Sequence, residues 1–109
     1  MAGIARIAVA KDTTGHAFGS GILAWTADAS YVVSVIATNT SAVNGTIYIY
    51  IVPSGQENNQ DAWALLAYNL PLPGYNSYET FRFGINTTDK LYVAGSAGMD
   101  YFIQGMNQS

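Results

Sequence analysis

Thr46-Ile47-Tyr48-Ile49-Tyr50-Ile51-Val52 decides the fold class. Isoleucine recurs at every second position, and threonine or tyrosine fills the positions between. Successive side chains of an extended strand point to opposite faces, so this period puts an aliphatic row on one side and phenols on the other. Tyr31-Val32-Val33-Ser34-Val35-Ile36-Ala37 is equally rich in β-branched residues. The polar stretch Thr38-Asn39-Thr40-Ser41-Ala42-Val43-Asn44-Gly45 between them ends in Asn-Gly, and the two strands read as a hairpin or near-hairpin joined by that loop.

Working outward, the pattern predicts further strands over residues 4–9, 21–26, 62–68, 79–83, 90–93 and 101–105. Turn residues separate them: Asp12-Thr13-Thr14-Gly15, Pro53-Ser54-Gly55, Pro71-Leu72-Pro73-Gly74, Asn86-Thr87-Thr88-Asp89 and Gly95-Ser96-Ala97-Gly98. Asp61-Ala62-Trp63-Ala64-Leu65-Leu66-Ala67-Tyr68 fits two turns of helix with Asp61 as N-cap, but its shortness and Pro71 favour a strand. The expectation is an all-β chain: a single antiparallel β-sandwich, jelly-roll or immunoglobulin-like, of about seven or eight strands. One domain takes up residues 1–109, with residues 1–20 read as an extended N-terminal arm because Gly15, Gly19 and Gly21 interrupt the pattern.

A 109-residue chain buries about 60–70% of the surface its unfolded form exposes, so it needs no metal or disulfide to fold. It has no cysteine, which excludes disulfides, thiolate catalysis and cysteine-based zinc sites together. Charged residues make up 10% of the chain, against about 25% in ordinary globular proteins. Much of the surface is therefore Ser, Thr, Asn, Gln, Gly and Tyr, or is covered by other subunits. A net charge of −3 with four basic residues argues against nucleic acid as a partner. No apolar run reaches the ~20 residues that span a bilayer as a helix, so no membrane association is expected. The N-terminus does not read as a secretory signal, because Lys11-Asp12 cuts its short apolar stretch, and Met1 fits synthesis in the cytoplasm.

The residues that could carry chemistry are few. His16 is the one histidine, in a glycine-rich stretch with no Gly-x-Ser-x-Gly elbow, and reads as a loop residue. The seven acids, Asp12, Asp28, Glu57, Asp61, Glu79, Asp89 and Asp100, fall mostly in turns, where aspartate caps backbone. No pair is singled out for glycoside hydrolysis, and no Asp-x-Asp loop suits calcium. The expectation is no catalytic residue, no metal and no cofactor. The sequons at Asn39, Asn44, Asn86 and Asn107 read as turn chemistry rather than glycan acceptors. Tyrosine is more informative: Tyr48, Tyr50 and Tyr92 alternate with aliphatic residues and become candidate subunit-interface residues. A sugar-binding surface uses the same kind of ring, and Trp25 and Trp63 are the candidates for glycan contact.

Ala37-Thr38-Asn39-Thr40-Ser41, followed by Thr46 through Val52 and then Pro53-Ser54-Gly55, resembles small β-sandwich virion structural proteins of tailed bacteriophages. Asn86-Thr87-Thr88-Asp89-Lys90-Leu91-Tyr92-Val93 takes the place of their later edge-and-strand motif, and Tyr101-Phe102-Ile103-Gln104-Gly105 looks like their closing strand. The resemblance covers residues 31–106 and departs at Gly84-Ile85-Asn86-Thr87-Thr88, where related chains carry Leu-x-Ala-Gly-Asp. It implies a capsid decoration or cement protein on the virion exterior, with no enzymatic activity, made in the host cytoplasm. Its partners would be itself, as a homo-oligomer and typically a homotrimer, and the major capsid protein. A tail or fibre component that adsorbs to host glycans is the alternative.

Overall fold

The computed structural model describes residues 4–108. Nine strands follow one another, all paired antiparallel: β1 Ala5–Asp12, β2 Ile22–Thr26, β3 Tyr31–Asn39, β4 Gly45–Val52, β5 Ala64–Leu72, β6 Ser77–Glu79, β7 Phe83–Ile85, β8 Lys90–Gly95 and β9 Met99–Asn107. They form two sheets. The first has the order β1-β9-β3-β6, with β7 also on β3, and the second has the order β2-β8-β4-β5.

Strand pairs β1–β9, β2–β8, β3 with β6 and β7, and β4–β5 alternate between the sheets like a long hairpin wound around a barrel. This is the jelly-roll order, and it settles that alternative against the immunoglobulin one. The alternating aliphatic residues meet between the sheets: Val33, Val35 and Ala37 from β3, Ile47, Ile49 and Ile51 from β4, Leu91 and Val93 from β8, and Met99, Tyr101 and Ile103 from β9. The Tyr101 hydroxyl, fully buried, donates to the Ala94 carbonyl at 3.1 Å. Burial together with the nearby Asp12 charge pushes its pKa well above the ordinary phenol value.

Three expectations are corrected. First, β3 and β4 are not a hairpin, because β3 pairs with β9, β6 and β7, whereas β4 pairs with β8 and β5. Gly45 is absent from the positive-φ residues, so Asn44-Gly45 does not make the turn that Asn-Gly favours. The loop instead crosses from one sheet to the other. Second, residues 5–12 are not part of an extended arm but the edge strand of the first sheet: Ala5–Asp12 pairs along β9, with Val9 opposite Phe102 and Asp12 opposite Met99. Residues 1–3 lie outside the described residues. Third, the strand expected over 79–83 is broken. Glu79 pairs with Ile36 and Phe83 with Val33, so three residues stand opposite two. Thr80 fills the gap: its N–H donates to the Val35 carbonyl at 2.9 Å, and its hydroxyl accepts the Val35 N–H at 3.0 Å. Phe81 is the looped-out residue of this bulge and is exposed.

The ambiguous segment resolves as a strand preceded by one 3-10 turn over Gln60–Ala62, whose N-cap is Asn59 rather than Asp61. Positive φ at Asn69 and two register shifts against β4 twist this edge strand.

Candidate functional site

Strand phase places Tyr48 and Tyr50 of β4 and Tyr92 of β8 on the outer face of the second sheet. Tyr50 and Tyr92 are a direct cross-strand pair, and their rings stack at 5.6 Å and 7°. Trp63, just before β5, stacks on the other side of Tyr50 at 5.1 Å and 9°. Three rings thus run side by side, from β8 over β4 to the start of β5. Phe18, from the loop between β1 and β2, sets its edge against Tyr50, Trp63 and Tyr68 at 4.9, 5.7 and 5.2 Å. Tyr48 and Tyr68 close the group at 5.3 Å. The Trp63 indole N–H donates to the Gln56 carbonyl at 2.8 Å, pinning the β4–β5 loop to the same cluster.

Tyr50, expected to offer its phenol to a partner subunit, is 1% exposed and offers nothing. Its direction follows from strand phase, but Phe18 and Trp63 arrive from the flanking loops and cover it. Burial raises its pKa, while backbone hydrogen bonds from Gly19 and Gly21 act in the opposite sense. Tyr48 and Tyr92 are half-buried in the same cluster. The outermost apolar groups on this side are Tyr68, Leu65 and Leu23, which position alone did not single out. The Tyr50 and Leu65 pairing puts β5 side chains on the outer face, but the register shifts at Ile49 and Tyr50 hid that phase from the sequence.

The two tryptophans do not act together. Trp25 packs edge-on against Tyr31 at 4.9 Å and against the main core, whereas Trp63 belongs to the outer row. Beside that row lies a hollow of about 170 Å³ lined by Gly19, Tyr50, Val52, Glu57, Trp63 and Tyr92. Its one charged lining group, Glu57, is held by Lys90 at 3.1 Å. This volume falls below the ~300 Å³ at which small-ligand sites begin.

The row is therefore a satellite core that straps two loops to the sheet. Phe18→Ala removes the ring that meets Tyr48, Tyr50, Trp63 and Tyr68 and is expected to cost about 1–2 kcal/mol, less than a fully buried Phe because the site is part-exposed. Urea melts report that loss. Near-UV circular dichroism would lose intensity as Tyr50 and Trp63 gain freedom.

Charge is divided between the faces. Lys11 pairs with Asp100 at 3.1 Å, Arg6 lies over the Phe102 ring at 5.7 Å, and Glu79, Arg82 and Gln104 line a small depression. All of these lie on the outer side of the first sheet. On the second sheet's outer side the one ion pair among the described residues is Glu57–Lys90, at its margin.

His16 is a loop residue, as expected. It exchanges two backbone hydrogen bonds with Gly95 at 2.8 Å, and its Nδ1 lies 3.1 Å from the Asp12 carboxylate. Asp12 is buried and also accepts the Thr14 and Gly15 N–H groups, which makes it a turn cap. No serine hydroxyl is hydrogen-bonded to His16 among the described residues. Three other acids have separate partners: Asp28 with Tyr31, Asp89 with the Asn86 N–H and Glu79 with Ser34. Among the described residues no three acid or histidine side chains converge as metal ligands, and no helix is long and apolar enough to cross a membrane. Of the sequons, Asn39 is 1% exposed with its amide fully engaged, so it cannot accept a glycan.

Together these features define a jelly-roll domain with one charged and one aromatic, nearly uncharged sheet face. A chain of the T13 IBDV viral particle, described among icosahedral viruses, shares this fold: the likeness covers 97% of the present chain, with a TM-score of 0.53 and 16% sequence identity. The present chain spans 31% of that chain's length, and at this identity the likeness is one of fold. No protein-family model matches the chain, and no curated protein matches it in sequence.

Proposed function

We propose that this protein is a virion structural component that acts by binding other subunits and not by catalysis. The observation that carries the reading is the nearly uncharged outer side of the second sheet, with Tyr68 60% and Leu65 50% exposed at its β5 edge. Apolar, charge-poor surface of this kind is what subunit contacts cover. The likeness of fold to a viral particle chain supports the same reading.

The specific form is a capsid decoration or cement protein of a tailed bacteriophage, assembled as a homotrimer on the capsid exterior. Contacts repeated by symmetry over many equivalent sites let a modest area per subunit suffice. A protein that binds only the assembled shell stabilises it by mass action. Tyr68 and Leu65, with the rims of Tyr48 and Tyr92, are the groups that would meet a neighbouring subunit.

The test is the copy number of this chain relative to the major capsid protein in purified particles, by quantitative mass spectrometry. A number comparable to the major capsid protein is the expected result. A small fraction of it would move the protein to the tail or fibre, and absence from the particle would end the virion reading.

A further inference from the structure

Four connections meet at one end of the barrel: β1–β2, β3–β4, β5–β6 and β8–β9. Backbone hydrogen bonds tie them together, from the Gly98 N–H to the Asp12 carbonyl at 2.7 Å, the Thr40 N–H to the Gly98 carbonyl at 2.8 Å and the Tyr75 N–H to the Ser41 carbonyl at 3.0 Å. Between the β1–β2, β3–β4 and β8–β9 connections lies a hollow of about 500 Å³ whose lining includes Thr13, Ser41, Val43, Asn44, Ser96 and Ala97. It is about three times the volume of the hollow beside Trp63 and lies within the ~300–1,000 Å³ of small-ligand sites.

The geometry points to a binding site here for a neutral saccharide. This inference rests on the loop end alone and stands apart from the virion reading. No lining residue is ionisable. The carboxylate of Asp12, the chain neighbour of Thr13, is buried and committed to Thr14, Gly15 and His16. A charged ligand would find no counter-charge, whereas an uncharged polyhydroxyl ligand would leave none unpaired.

Hydrogen-bonding capacity remains around the hollow. Asn44 uses its side-chain oxygen on the Gly74 N–H at 3.1 Å, which holds the amide in place and leaves its NH2 free to donate. Ser96 accepts the Thr46 N–H through its hydroxyl oxygen at 3.0 Å, leaving its O–H to donate. Among the described residues the Thr13 hydroxyl has no hydrogen-bond partner. Donors fixed through their other atom lose little freedom when a ligand arrives.

Apolar surface suited to the C–H face of a sugar adjoins these groups. Val43, in the lining, is 73% exposed; Tyr75, outside the lining on the β5–β6 loop but hydrogen-bonded through its N–H to the lining residue Ser41, is 74% exposed. Tyr75 sits at φ 58, a left-handed conformation that a bulky residue seldom adopts. Strained backbone that displays an exposed ring is a mark of binding loops.

The test uses the purified full chain and a panel of lactose, cellobiose and chitobiose, with glucuronic acid as the charged control. Nitrogen-15 NMR spectra would follow each titration up to about 10 mM, the range in which weak single-site binding shows. At least one neutral sugar is expected to shift the amides of residues 41–44 and 96–98 saturably, while glucuronic acid does not. Thr13→Val removes a hydroxyl with no structural partner, and Tyr75→Asn removes the ring but suits the left-handed backbone. Each is expected to weaken binding at least fivefold with the melting temperature held or raised. Shifts centred on Trp63 and Tyr92, no shift with any sugar, or tip shifts that depend on protein concentration alone would each overturn the assignment. The last of these would make the loop end a subunit contact.

Discussion

Replacing Gly95 with alanine is expected to cost about 3 kcal/mol or more and to lower the melting temperature by roughly 15 °C. Gly95 ends β8 at φ 126, where an L side chain is strained, and a Cβ there would lie 2.2 Å from the Thr46 carbonyl oxygen and 2.9 Å from the Ile47 Cα. Both obstacles are backbone of the central strand β4, so neither can swing aside as a flexible side chain would. The same residue exchanges both of its backbone hydrogen bonds with His16. A shift of Gly95 therefore disturbs the β4–β8 ladder and the strap that carries Phe18 together.

Gly55 supplies the control. Its φ of 80 is also positive, though closer to the left-handed region that L residues can enter, and a Cβ there meets nothing within 4 Å. Gly55→Ala is expected to cost only the left-handed strain, about 1 kcal/mol. Urea midpoints of the two variants compare a strained and crowded position with a strained and open one. Equal losses in both would mean that β4 yields, and that close packing at Gly95 does not matter to stability.

Asn39→Asp exchanges one atom and is expected to cost about 3–5 kcal/mol at pH 7. The Asn39 amide donates to the Val43 and Leu72 carbonyls at 2.9 and 3.0 Å, and its oxygen accepts the Ser41 N–H and hydroxyl at 3.0 and 3.1 Å. This one buried side chain clasps the sheet-crossing loop to the end of β5. A carboxylate would set an oxygen against two carbonyl oxygens, away from water, and so would be driven to stay protonated.

The sign of the pH dependence follows. The folded-state pKa of the new acid would lie above its unfolded value of about 3.9, so the folded state holds the extra proton. The variant is then nearest to the parent below about pH 4 and loses stability as pH rises from there through the folded-state value. Parallel urea melts at about pH 4 and pH 7 test this. A deficit that does not change with pH would mean that the clasp tolerates a charge, contrary to its burial. Asn39→Ala, which leaves two carbonyls unpaired without adding charge, should show the loss without the pH dependence.

The stretch around Asn39 shows how much was legible beforehand. Thr38-Asn39-Thr40-Ser41 was visible as polar, turn-forming sequence, and the strands on either side were read correctly. Its role was not, because the clasp depends on Leu72, a residue distant in the chain that β5 brings alongside. The same holds for the loop end. Thr13, Asn44 and Ser96 are unremarkable in sequence, and only their meeting makes a hollow.

The sequence by itself determined that the chain is an antiparallel β-sandwich, because alternation at period two is a local property that each strand carries whatever its partners are. It also determined the face to which Tyr48, Tyr50 and Tyr92 point. The tertiary structure alone decided that β3 and β4 belong to different sheets, that residues 5–12 pair with β9, and that Tyr50 is covered while Tyr68 and Tyr75 are exposed. Strand partners and burial arise from contacts between residues far apart in the chain, and those contacts leave no local period to read.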